Sequence, residues 1–328
     1  MKSKERVIRA LEFKNPDRIP IYSLHLPTKK FSDYLINCIK FKSDIMLTSY
    51  MYFRKKINKE TAVDVWGVVW KSLGNKGEVV ESPLEDWDKL DELKIPNYMT
   101  KKNIMFIKFT RMIFRKKFLI GNLSDMIFSI CQYLRGYVEF MQDLYDYKEN
   151  IEKLVSKVVK LNLELIDKYA DLGLDCVMGC DDLGLQNSLM ISPIMFREIF
   201  KPAYKQMIDR AHERGMKFFL HSCGYIIDII EDFIEINLDA LQCDQQDNMG
   251  IDILNERFGG RMSFFSPCDI QTTLSTNDKE KICAKSIHLV KTLGSHNGGF
   301  IGKVYPTPKD INVTEKSIGY MLEAFLSK

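Results

Sequence analysis

The stretch Phe218-Phe219-Leu220-His221-Ser222-Cys223-Gly224 decides how the rest of the chain is read. An apolar run of this length is a buried strand, and it stops at a histidine and a cysteine two positions apart. On extended chain, residues i and i+2 point to the same side. An imidazole and a thiolate so placed can hold one zinc ion. Gly224 lets the backbone turn away at once. The preceding residues 210–217 read as a helix end stopped by Gly215, and residues 226–236 read as the next helix. A strand end between two helices is where α/β barrels and open α/β sheets keep their sites. Taken alone, the pair is two small core side chains; the neighbouring strands change that reading.

Working outward, strands are expected at 18–23, 118–123, 175–180, 217–222, 239–243, 261–266 and 299–304. Helical patterns cover 2–13, 125–147, 149–172, 192–214, 226–236, 250–257, 278–293 and 314–327. Ser192-Pro193 supplies a cap and a first-turn proline. Such alternation implies parallel strands with right-handed crossovers. Seven strands, with an eighth not placed, predict an α/β fold of the (β/α)8 barrel type. An open doubly wound sheet is the alternative, but no Gly-x-Gly-x-x-Gly follows any strand. Residues 29–60 have no clear pattern, and Val63 to Trp70, around Gly67, reads as a hairpin beside the main fold. The simplest organisation is one domain over 1–328 with an N-terminal extension over roughly 28–100.

Of the 328 residues, 45% are hydrophobic, enough for a large core, and the net charge of +3 comes from interspersed acids and bases. That balance gives no electrostatic argument for nucleic acid or a membrane surface. The basic runs Arg54-Lys55-Lys56 and Arg115-Lys116-Lys117 read as solvated surface. The charged start has no apolar stretch behind it, so no signal peptide is expected, and no run reaches the ~18 apolar residues of a membrane span. A cytoplasmic location follows as an expectation. There the eight cysteines (Cys38, Cys131, Cys176, Cys180, Cys223, Cys243, Cys268 and Cys283) should be reduced. Metal ligation or core packing must then account for them.

Four successive strands end in metal-capable residues: Cys180-Asp181-Asp182, His221-Ser222-Cys223, Cys243-Asp244 and Cys268-Asp269. In a parallel barrel these ends share one rim. Sulfur and imidazole ligands suit zinc better than calcium or magnesium. A catalytic zinc keeps three protein ligands and an open position. His221, Cys223 and Cys268 are the expected set, with Cys243, Cys180 or an aspartate as substitutes. Asp181, Asp182, Asp244 and Asp269 could instead orient His221, or merely cap loops and helices. Cys38, Cys131, Cys176 and Cys283 carry no expected role.

These residues resemble the uroporphyrinogen decarboxylase superfamily. The resemblance rests on Asp181-Asp182-Leu183-Gly184-x-Gln186, Ser192-Pro193, Lys201-Pro202-x-Tyr204, Leu220-His221-Ser222-Cys223-Gly224, the opening Asn15-Pro16-Asp17-Arg18-Ile19-Pro20 and the closing Gly298-Gly299-Phe300-Ile301. It covers almost the whole chain, least over 28–105, and implies a (β/α)8 barrel. True decarboxylases of the superfamily carry a Met-Arg-Gln-Ala-Gly-Arg-Tyr segment whose arginines bind substrate carboxylates. Here that region is Tyr22-Ser23-Leu24-His25-Leu26-Pro27, with no arginine. The other branch, zinc-dependent and corrinoid-linked methyltransferases, is marked by His-x-Cys and a distant Cys after the last strand. His221 and Cys223 match; the segment to Val304-Tyr305-Pro306 has no Cys. Cys268 replaces it on strand-end position, and Tyr305 stands where the usual ligand would. The resemblance further implies Asp181, Asp182 and Tyr305 as catalytic and Gln186 and Gly224 as cofactor-binding residues.

The function so implied is methyl transfer between a corrinoid and a thiol, tetrahydrofolate or a small methylated substrate. Zinc would turn a thiol with a pKa of about 8.5 into a thiolate or act as a Lewis acid on the methyl donor. The methylcobalamin or other corrinoid would be carried by a separate partner protein, since the chain has no Asp-x-His-x-x-Gly motif of its own. Two rivals remain. Uroporphyrinogen decarboxylation needs no metal but needs cations at the mouth, for which Arg18 and Lys303 are the strand-end candidates. A non-catalytic barrel would close a structural site from His221, Cys223, Cys243 and Cys268.

Overall fold

The computed structural model describes residues 1–23, 43–72, 77–305 and 307–327. Cys38, most of the Tyr22–Pro27 comparison and the first part of the expected extension lie outside the described residues. Eight parallel strands form a nearly closed barrel wrapped by helices: β1 (Ile21–Tyr22), β2 (Ile45–Ser49), β7 (Phe118–Asp125), β8 (Cys176–Cys180), β9 (Lys217–His221), β10 (Ala240–Gln242), β11 (Ser263–Ser266) and β12 (Phe300–Lys303). The sheet order is β1-β12-β11-β10-β9-β8-β7-β2. The (β/α)8 expectation is met, and the strand the sequence left unplaced is β2. It lies inside the segment expected to be an extension, which is thereby corrected.

The two ends of the sheet meet at Asp44. Its backbone N donates to Ile21 O (2.7 Å), and the Ile21 N donates back to its carboxylate (3.0 Å). Arg6 and Arg18 bind the same carboxylate at 2.6 and 2.7 Å. Two cations and a backbone amide offset the cost of burying this charge. Below the mouth the barrel is filled by aromatic side chains: the ring of Phe219 lies 6.1 Å from that of Phe118 and 6.0 Å from that of Phe265.

The remainder of the extension is a four-stranded antiparallel meander, β3 (Lys55–Lys56), β4 (Thr61–Val63), β5 (Val69–Lys71) and β6 (Glu78–Glu81). The expected hairpin is the β4–β5 pair, with Val63 opposite Val69. Asp64 builds its turn by accepting from Trp66 N, Val68 N and Trp70 Nε1, while Gly67 takes a φ of +88° that favours glycine. Trp70 seats the meander on the barrel through Tyr133, ring centroids 4.9 Å apart. Among the described residues no helix is long and apolar enough to cross a membrane.

Candidate metal centre

Register places the site. Cys180 of β8, His221 of β9 and Gln242 of β10 are level partners on three adjacent strands, all at the carboxyl ends and all lining one cavity in the barrel mouth. Past the strand end the alternation continues for two residues. Ser222 is buried, with its N on Gln242 O and its hydroxyl accepting from Leu183 N. Cys223 therefore returns to the mouth side. Its Sγ lies 3.3 Å from His221 Nε2, as the strand reading required. Asp182 completes the group: its Oδ1 is 3.4 Å from His221 Nε2 and accepts from Cys223 N at 3.1 Å.

Among the described residues two sets have ligand atoms within 4.8 Å of one another, Cys180–Asp182–His221 and His221–Cys223–Asp244. They share the imidazole. The carboxylate of Asp244 is engaged elsewhere, by Lys303 Nζ at 2.9 and 3.0 Å and by Gln242 Nε2 at 2.8 Å. His221 is thus the shared donor, with Cys180 and Asp182 grouped with it on one side and Cys223 on the other; of these, Cys180 and His221 line the mouth cavity. Burial alone opposes a charge on His221; Cys180, Asp182 and Cys223 around it outweigh that and raise its pKa above the ordinary value.

Several expected site residues are elsewhere. Cys268 is fully buried and its Sγ points away from the mouth, 3.0 Å from Ser286 Oγ and 3.7 Å from Ile282 O on the helix Lys279–Leu293. Strand β11 ends at Ser266, and Pro267 breaks the alternation before Cys268 is reached. Burial pushes its thiol up to about 12, and that of Cys243 likewise to about 12. Asp181 is 0% exposed and accepts from Phe128 N (3.1 Å), Ser129 N (2.8 Å) and Tyr204 OH (2.7 Å). It holds the first turn of the helix Ile127–Arg135 and does not reach the mouth. Asp269 likewise accepts from Gln271 N and Thr272 N in a turn.

Gln186 is exposed on the rim and reaches Asn248 and Gln271. Gly224, at φ +77°, packs against the Gly184 turn so tightly that a Cβ would lie 2.4 Å from Gly184 O. Its glycine is required by that contact. Arg18 is at the amino ends of the strands, with Asp44, and a cavity of about 1310 Å³ beside it opens on that opposite face. Lys303 and Tyr305 do line the mouth, with Tyr22, Ile45, Leu47, Met178 and Phe265 as apolar wall, around about 370 Å³. Burial raises the Tyr305 pKa, so its hydroxyl stays a donor. Sequence reasoning missed Gln242. Its signal was a polar side chain at the buried end of a strand, in Leu241-Gln242-Cys243.

The fold is shared with solved structures at low identity. A methyltransferase from Methanosarcina mazei superposes with a TM-score of 0.74 at 14% identity, covering 99% of this chain and 98% of that one. A D-psicose 3-epimerase from Clostridium cellulolyticum H10 has a TM-score of 0.50 at 10% identity over 94% of this chain and 96% of its own. No curated protein matches the sequence. The family model described as uroporphyrinogen decarboxylase (URO-D) matches residues 64–301, and the chain belongs to that family.

Proposed function

We propose that this chain is a zinc-dependent methyltransferase that moves a methyl group between a corrinoid held by a separate partner protein and a thiol, tetrahydrofolate or a small methylated substrate. The observation that carries the reading is the donor set around His221 Nε2. Zinc–ligand bonds of about 2.0–2.3 Å in a tetrahedron bring donors to less than about 4 Å of each other. The contacts of 3.3 Å to Cys223 Sγ and 3.4 Å to Asp182 Oδ1 have that spacing. Sulfur and imidazole donors favour zinc over a hard cation, and His221 and Cys223 with a third donor from Cys180 or Asp182 would leave the fourth position open. Zinc held there would supply the positive charge that keeps a substrate thiol ionised at neutral pH.

The chain's own residues do the rest. His221 and Cys223 are fixed by a strand end, and Asp182 is fixed to Cys223 N, so the donors are arranged before any ligand arrives. The apolar wall of Tyr22, Ile45, Leu47, Met178 and Phe265 keeps water from a reacting methyl group. Tyr305 offers a hydroxyl to orient the substrate. The Methanosarcina mazei protein of the same fold is itself described as a methyltransferase.

Decarboxylation of uroporphyrinogen is disfavoured by charge. Lys303 is the one lysine or arginine among the described residues lining the mouth, and Asp244 neutralises it. A closed structural site is disfavoured because Cys243 and Cys268 are absent from the donor groups among the described residues. The test is corrinoid spectroscopy with the zinc-loaded protein, methylcobalamin and candidate acceptors, or reduced cobalamin and methylated donors. Expected is metal-dependent turnover that falls by more than about 100-fold in Cys223→Ala, beyond the ~10–100-fold typical of a residue outside the ligand set. Turnover of uroporphyrinogen by the metal-free protein, with none of corrinoid, would overturn the reading.

A further inference from the structure

The side of His221 away from the donor group is occupied by a chain of three residues that no step above uses. His221 Nδ1 is hydrogen-bonded to Gln242 Oε1. Gln242 Nε2 donates to Asp244 Oδ1 at 2.8 Å, and both Asp244 oxygens accept from Lys303 Nζ at 2.9 and 3.0 Å. Gln242, Asp244 and Lys303 are all buried. An amide can turn either end to a neighbour, so by itself Gln242 would not discriminate between the two forms of an imidazole. Asp244 removes that freedom. Its carboxylate, held by an ammonium, offers only acceptors, so the amide NH2 must face it and the amide oxygen must face His221. An oxygen at Nδ1 requires a hydrogen on Nδ1. The lone pair of the neutral ring is then on Nε2, the atom that faces Cys223 and Asp182.

The geometry points to Gln242 as a positioning residue: the Lys303–Asp244–Gln242 chain fixes the tautomer and plane of His221, and it occupies Asp244 so that this carboxylate stays out of the metal's ligand set. This rests on the metal-binding reading of the mouth, and deepens it by saying how the nitrogen donor is prepared. Lys303 belongs to β12 and Asp244 follows β10, so strands on either side of β11 cooperate in setting one ring on β9. Histidine ligands commonly give their second nitrogen to a carboxylate or a carbonyl. Here a neutral amide does the contacting, and the charge that orients it sits one residue further back.

The experiment uses the full chain labelled with 15N-histidine, the His221 signals being identified by their loss in His221→Gln. Spectra of the metal-free protein at a pH where the ring is neutral report the tautomer, and competition with a chelator reports Zn2+ affinity. The wild type is expected to show the Nδ1–H form. Gln242→Leu should show a mixture and bind Zn2+ about 10–100-fold more weakly. Gln242→Glu keeps an acceptor at Nδ1 and should retain the tautomer. If Gln242→Leu does not fold, Asp244→Asn combined with Lys303→Met removes both charges together and frees the amide to turn, which again predicts a mixture. An unchanged tautomer and unchanged Zn2+ affinity in Gln242→Leu would overturn the proposal. A tautomer that depends on Gln242 in a protein that binds no Zn2+ would support the positioning chain and overturn the metal reading, so the two failures are distinct.

Discussion

His221 and Cys223 were legible from sequence because strand alternation persists to the end of β9 and two residues past it, the turn beginning only at Gly224. Cys268 obeyed no such rule. It stands two residues beyond β11, and Pro267 has already turned the chain, so its thiol faces Ser286 instead of the mouth. A cysteine's position after a strand fixes its direction only while the backbone stays extended. On the adjacent strand β8, register sets Cys180 beside His221, so Cys180, with Asp182 just past the strand end, is placed for the third donor we propose. Cys268→Ala is therefore expected to leave Zn2+ content and affinity at the wild-type level. It should lower stability by about 1 kcal/mol through lost packing and the lost contact to Ser286. Metal titration alongside urea unfolding checks both; weakened Zn2+ binding would return Cys268 to the ligand set.

Among the elements, β2 escaped the sequence because its apolar part, Ile45-Met46-Leu47, is a run of three residues before Thr48-Ser49, too short for periodicity to separate a strand from a helix. What marks it is Asp44, the residue before it, whose carboxylate ties Arg6, Arg18 and Ile21 together at the seam. The helix Ile127–Arg135 gives the opposite lesson, since the Asp181 of a chemistry-bearing motif is its N-terminal acceptor. Asp181→Ala leaves two buried amides and the Tyr204 hydroxyl without a partner and should cost about 1–3 kcal/mol, with Zn2+ binding unchanged. Burial lifts the Asp181 carboxyl to about 6, above the value near 4 of an unfolded chain. Folding thus favours its protonated form. The stability this group contributes is complete below about pH 4 and declines as pH rises to about 6. Unfolding free energies measured across that range should show the decline in the wild type and a flatter profile in Asp181→Asn.

At the scale of the molecule, strand direction separates two ends with different chemistry. Arg6, Arg18 and their carboxylates close the amino end, while sulfur, imidazole and one neutralised lysine occupy the carboxyl end. The barrel type and the location of the site could be read from alternation and from residues at strand ends. The depth of each side chain, the seam at Asp44 and the chain behind His221 could not, because they depend on register between strands far apart in sequence. The central claim is that the mouth binds a metal through His221 and Cys223, with Cys180 or Asp182 as the third ligand. Its most direct measurement is Zn2+ binding by the purified full chain after chelator treatment, with stoichiometry by elemental analysis and ligand type by X-ray absorption. The account predicts one Zn2+ per chain bound through nitrogen, oxygen and sulfur, and lost in Cys223→Ala. A wild-type chain that takes up no Zn2+, or a Cys223→Ala chain that takes it up as well as the wild type, would contradict it.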